Sequence, residues 1–216
     1  MSARSQLVRA ERRTAGAFGT LVVLHADGED AARGLELALA VAPAGCACVA
    51  AQAPRARDPF HASAAPAADP RWQAYRGYSW FRRDAAGRPE PASFGDSLAQ
   101  LESLAHELRT RGGAPLWLLG SSEGATLALG AALAFPERLD AVVAQGGSWP
   151  EIPGWSEGRG VPVDLPLLRI GSDYTDPCGA ADRVRAFLDA RREGARHGRS
   201  RSQEAGQDVL QAHRHG

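Results

Sequence analysis

Short apolar runs alternate along the chain with stretches whose apolar residues recur every three or four positions. Thr20 to Leu24 (TLVVL) is a continuous apolar run of strand length, and His25-Ala26-Asp27-Gly28 after it has the composition of a turn. Asp30 to Ala40 has the pattern of a helix. Cys46 to Ala50 is the next strand and runs into Gln52-Ala53-Pro54-Arg55. Leu98, Leu101, Ala105 and Leu108 form one helical stripe. Pro115 to Leu119 reads as a strand, Gly124 to Phe135 as an apolar helix closed by Pro136, and Ala141 to Ala144 and Leu165 to Ile170 as two further strands. Val184, Phe187 and Leu188 then fall on one face of a helix over residues 180–191. This alternation predicts an α/β fold: a mostly parallel sheet flanked by helices.

Length and composition narrow the picture. A chain of 216 residues with 44% apolar and 23% charged residues fits one domain with a substantial core. Residues 1–17 are a polar lead-in, residues 54–92 a loop rich in proline, alanine and arginine of a length that is usually functional or partly disordered, and residues 191–216 a weakly structured tail. The 25 basic residues are all arginine and are matched by 25 acidic ones. Zero net charge gives no reason to expect nucleic acid or an anionic membrane surface as partner, and the absence of lysine excludes Schiff-base chemistry. No run has the length of a membrane span, and the start lacks the apolar segment of a secretory signal, so the expected location is cytoplasmic. Cys46 and Cys48 sit two apart on one strand and read as small buried apolar residues. A lone C-x-C pair without a second pair makes no metal site.

The candidate chemistry lies in Gly120-Ser121-Ser122-Glu123-Gly124, placed between a strand and a helix. In a strand–GxSxG–helix arrangement the serine sits on a sharp turn with its hydroxyl above the sheet, at a helix N-terminus that favours a developing oxyanion. Only Ser122 has glycine two before and two after. A serine nucleophile needs a base, and the base needs an orienting carboxylate, in the chain order Ser, acid, His. The loop after the Leu165–Ile170 strand offers Asp173 and Asp176 as acids. If Asp208 to Ala212 forms the last strand, His213 stands at its end, where the base belongs.

Together these residues resemble the carboxylesterase/phospholipase family of α/β-hydrolases that includes the acyl-protein thioesterases. Leu21 to Asp30 is similar to that family's LVLHGxGD opening. Gln52 to Arg55, Trp80-Phe81, the elbow and Ser148-Trp149-Pro150 follow in the family's order, and Gly171 to Pro177 resembles its acid loop, with Asp176 as the better match. The resemblance covers roughly residues 18 to 190. It implies an α/β-hydrolase fold, a small ester or thioester as substrate, no cofactor, and no metal. It also implies an oxyanion hole made by the N–H of Glu123 and that of Ala26 or Asp27. Trp80, Phe81, Trp149 and Trp155 are candidates for an acyl pocket, and a homodimer is compatible with the pattern.

Three positions depart from the family. Ala26 stands where glycine is usual, Glu123 where glutamine is usual, and Gln207 where the base histidine is expected, in a C-terminal strand and helix that are incomplete or irregular. Glutamine has no basic nitrogen with which to take the proton of the serine. Two readings therefore stand side by side. One is a serine hydrolase using Ser122, Asp176 and His213. The other is a weak or inactive homologue, acting as a binding module or being a truncated product.

Overall fold

The computed structural model describes residues 7–12, 17–57, 77–112, 115–152, 155, 164–171 and 179–193. Among these residues six strands form one sheet in the order β1-β3-β2-β6-β7-β8: β1 (Arg9–Arg12), β2 (Thr20–Leu24), β3 (Ala47–Ala51), β6 (Leu116–Ser121), β7 (Ala141–Gln145) and β8 (Leu167–Ile170). All pairings are parallel except that of β1 with β3. A two-residue hairpin, β4 (Arg55–Ala56) with β5 (Tyr78–Ser79), stands apart from the sheet.

Parallel strands must be joined by crossovers, and helices cover both faces of the sheet. Side chains alternate accordingly. Val22, Leu24, Leu116 and Leu118 pack toward α2 (Pro91–Gly112) and α3 (Glu123–Ala134). Leu21, Val23, Trp117 and Leu119 pack toward α1 (Ala31–Val41) and α4 (residues 179–193). The helical stripe read from the sequence is the inner face of α2, with Leu101 and Ala105 buried and Leu98 and Leu108 packed against the same core.

The helix ends follow local chemistry. Asp30 caps α1, its carboxylate accepting from the Arg33 N–H. Pro91 opens α2, where its missing N–H costs nothing, and Glu90 before it accepts from the Ser93 N–H at 2.8 Å. α3 is apolar nearly all round and buried from Glu123 to Ala132, as suits a helix inside a three-layer fold.

Three features depart from the sequence reading. The lead-in does not stay irregular, because residues 9–12 form the antiparallel edge strand β1. Its charged composition hid a strand whose pairing comes from β3 and not from an apolar face of its own. Inside the long loop, residues 55–56 and 78–79 pair across it. The strand expected from Leu165 begins at Leu167, after Pro166, whose carbonyl accepts from the Val142 N–H.

Registers align the carboxyl ends of the central strands. Leu24 of β2 lies opposite Gly120 of β6 and Ala51 of β3, and Ser121 lies opposite Gln145 of β7. The chain therefore leaves β2 and β6 side by side, which is where open α/β sheets hold their sites. The approach is tight: a Cβ on Gly124 would stand 2.4 Å from the Leu24 carbonyl oxygen and 2.7 Å from that of His25. Gly124→Ala should thus lower unfolding stability by about 1–3 kcal/mol or more, measured by urea titration. Gly95→Ala, on the exposed side of α2 with no atom within 4 Å of the new Cβ, should instead stabilise by up to about 1 kcal/mol.

Candidate active site

The turn from β6 into α3 has one conformation that L-residues avoid. Ser122 has φ 51° and ψ −113°, and among the described residues no other non-glycine has positive φ. Holding a side chain there costs about 1–3 kcal/mol, so the surroundings must enforce it. They do so through close contacts and hydrogen bonds. A Cβ on Gly120 would meet the Gly124 carbonyl oxygen at 2.2 Å, and one on Gly147 would meet the Ala125 side chain at 2.5 Å. The Ser122 N–H donates to the Gln145 carbonyl at 2.7 Å, and the Ser122 carbonyl accepts from the N–H groups of Ala125 and Thr126.

Ser122 occupies the N-cap position of α3, where a serine hydroxyl normally bonds a first-turn N–H. Here the side chain makes no capping bond and is exposed. Ser121, one residue earlier, is still on β6 and half-buried. The Glu123 N–H is the first of the helix, a position for which the helix supplies no acceptor of its own.

Glu123 is 2% exposed. Its side chain turns away from solvent and its Oε2 accepts from the Trp80 N–H at 2.7 Å and lies 2.9 Å from the Ser79 Oγ, while its Oε1 is 3.5 Å from the Arg83 guanidinium. The Ser79 hydroxyl has one proton and two acceptors, this carboxylate and the Phe81 carbonyl at 2.8 Å. Burial pushes the Glu123 carboxyl up from its ordinary value, and the Asp27 charge adds to the rise, while the Trp80 N–H, Ser79 and Arg83 oppose it.

The opening loop is held as firmly. His25 is buried, with Nε2 3.1 Å from the Ala53 N–H and Nδ1 2.7 Å from the Ala26 carbonyl. Since an N–H faces Nε2, that nitrogen accepts and Nδ1 carries the proton: the ring is neutral, and burial lowers its pKa. Both ring nitrogens are thus committed within the fold. The Ala26 N–H donates to the Glu29 carboxylate at 3.1 Å, and the Gly28 N–H to the Tyr78 carbonyl at 3.0 Å. Asp27 pairs with Arg57 at 2.7 Å.

Of the residues singled out from the sequence, Ser122, Glu123, Ala26 and Asp27 come together at the carboxyl ends of β2 and β6. Trp80 and Phe81 are core residues, 0% and 1% exposed, Trp80 beside His25 and Phe81 beside Phe94, so neither ring is open to a ligand. Trp149 is half-buried against the cluster of Ala125, Leu129 and Ala144, and Arg169 covers its ring at 5.4 Å. Trp155 packs on Phe94. Asp173, Asp176, Gln207 and His213 lie outside the described residues. His106 is exposed on α2 beside Arg138. Cys46 and Cys48 are buried, and burial pushes the Cys46 thiol up to about 12. Ser79, Arg83 and Arg57 belong to the site's surroundings although no motif marks them, and Glu29 joins them from the opening segment.

No family model and no curated protein matches the chain. Solved structures do. A carboxylesterase from Mesorhizobium loti is 23% identical, with a TM-score of 0.54 over 79% of this chain and 88% of that one. The esterase PE8 has a TM-score of 0.61 at 20% identity, over 86% and 98%. The Bacillus cereus carboxylesterase has a TM-score of 0.62 at 12% identity, over 87% and 95%. The chain has the α/β-hydrolase fold. Within an α/β-hydrolase, the β6–α3 turn is the place of the nucleophile elbow. Among the described residues no helix is long and apolar enough to cross a membrane, and no group of three His, Cys, Asp or Glu is placed to hold a metal.

Buried Glu123 and His25 give opposite pH dependences. Glu123 binds its proton more tightly folded than unfolded, so its contribution to stability is present at low pH and is lost as pH rises above about 4.5 through the raised folded value. His25 is depressed, so its contribution holds above about 6.5 and is lost on acidification through the lowered folded value. In urea titrations across that range, the stability difference between Glu123→Gln and wild type should move in favour of the variant as pH rises. A difference that stays constant with pH would mean that Glu123 ionises alike in both states.

Proposed function

We propose that the protein is a serine hydrolase that cleaves small carboxylic esters or thioesters through an acyl-serine intermediate. The observation that carries this reading is Ser122, exposed, uncapped and held at positive φ on the turn between β6 and α3. A hydroxyl kept in a strained backbone and withheld from helix capping serves something other than the fold. The esterase and carboxylesterase names of the structural neighbours support the reaction class.

In this mechanism Ser122 Oγ attacks the acyl carbonyl while a tail histidine, His213, takes the hydroxyl proton and Asp176 orients the ring. The same histidine passes that proton to the departing alcohol or thiol. Water then attacks the acyl-serine, with the histidine again taking and returning a proton, and releases the acid. The Glu123 N–H is one oxyanion donor. The Asp27 N–H is the favoured second, because that of Ala26 already donates to Glu29. Trp149, half-exposed beside the first α3 turn, is the favoured apolar wall for the acyl group. A cytoplasmic setting belongs to the same proposal, as does room for a homodimer.

A second reading has an observation of its own. His25 has both nitrogens committed, and Gln207 stands where the family's histidine is expected, so an inactive homologue that binds without turnover is the alternative. Turnover of p-nitrophenyl acetate and butyrate, with fluorophosphonate labelling, separates the two. Ser122→Ala should abolish labelling and lower kcat/KM on the order of 10⁴-fold or more, with a comparable loss in His213→Ala. A wild-type protein that neither labels nor turns over sinks the hydrolase reading, and activity appearing in Gln207→His would then show that only the base is missing.

A further inference from the structure

The segment Tyr78–Trp80 touches both walls of the proposed oxyanion hole. Toward the opening loop it makes backbone bonds in both directions: the Gly28 N–H donates to the Tyr78 carbonyl at 3.0 Å and the Tyr78 N–H to the Glu29 carbonyl at 2.9 Å. The Trp80 indole N–H adds a third bond, to the His25 carbonyl at 2.9 Å. Toward α3 the same residue uses its other donor, since the Trp80 N–H bonds the Glu123 carboxylate at 2.7 Å with the Ser79 hydroxyl alongside. Trp80 is 0% exposed, and its carbonyl is itself held by Ser97 and by Arg55, so it cannot drift between the two partners.

Contact already sets the shortest distance between the walls, because Gly124 meets the Leu24 and His25 carbonyls with no room for a Cβ. Contact alone does not set the longest. We infer that Glu123 and Trp80 are positioning residues that fix the upper limit, Trp80 gripping the His25 carbonyl with its indole and the first residue of α3 with its amide. This inference rests on the hydrolase reading. It gives Glu123 two separate tasks: its backbone N–H faces the oxyanion, and its side chain anchors that N–H to the opposite wall. It also accounts for a buried carboxylate beside a site that develops negative charge. The carboxylate turns inward and is met by Ser79, the Trp80 amide and Arg83 instead of facing the oxyanion.

The test is the steady-state kinetics of p-nitrophenyl butyrate hydrolysis by the full chain, with thermal unfolding as the check that each variant is folded. Glu123→Met keeps the length and loses the acceptor; Trp80→Phe keeps an aromatic ring and loses the indole N–H. Oxyanion donors act on charge present only in the transition state, so each variant should lower kcat roughly 10- to 100-fold with KM nearly unchanged. Glu123→Gln, which retains an oxygen for the Trp80 N–H, should recover most of the loss seen in Glu123→Met. The double variant Glu123→Met/Trp80→Phe should be little slower than the slower single, since both cut the same link. Folded single variants with wild-type kcat, or losses that multiply in the double, overturn the inference. Should Glu123→Met not fold, Trp80→Phe cuts the same link at its other end, and an unaltered kcat there overturns the inference equally. Wild-type protein without turnover defeats the hydrolase reading itself, whereas wild-type turnover with unaffected variants defeats only the positioning role.

Discussion

Everything at the carboxyl edge of this sheet depends on how closely two backbones approach. The start of α3 rests on the end of β2 with glycine at the point of contact, and Gly120 and Gly147 clear the space on either side. That approach draws the chain through a turn so sharp that Ser122 takes a conformation foreign to its type. The strain is local and the force opposing it is not. It comes from the buried apolar layers on both faces of β2 and β6, which hold the strands in register whatever the turn demands.

Around that contact His25, Glu123 and Asp27 each have partners within the fold. His25 serves as a neutral brace between the opening loop and Ala53, and Glu123 spends its charge on the Trp80 amide, Ser79 and Arg83. Asp27 is balanced by Arg57. Both arginines come from the chain that follows Pro54, Arg57 before residues 58–76 and Arg83 after them, whereas Asp27 lies in the loop after β2 and Glu123 opens α3. In the proposed reaction, two acidic residues near the developing oxyanion raise the barrier only if their charge is free to act there. Inward burial with donors answers that problem at Glu123, and ion pairing answers it at Asp27.

The sheet, its helices and the elbow were legible because each rests on a local signal: apolar runs of strand length, a stripe at helical spacing, and glycines two before and two after Ser122. β1 was not legible, because a charged four-residue segment has no pattern until β3 supplies its hydrogen bonds. The burial of Trp80 and Phe81 was not legible for a related reason. Aromatic residues in a loop read as pocket lining, and only the tertiary structure shows the loop folded back so that both rings enter the core. Glu123 raised a question that sequence alone could not answer, since an inward carboxylate needs the Ser79 and Trp80 donors, which lie more than forty positions away.

β1 ends the sheet in charge. Without it, β3, buried along most of its length, would leave a row of amide and carbonyl groups open at the border, a template on which another chain can pair. Arg9, Glu11 and Arg12 occupy that border instead, and Arg9 is fastened to Glu107 of α2 at 2.8 Å. A neighbouring copy that meets this edge in a crowded solution meets guanidinium groups before it meets an apolar strand. The polarity that makes residues 9–12 read as a lead-in is what lets them close the sheet without inviting the next strand to join.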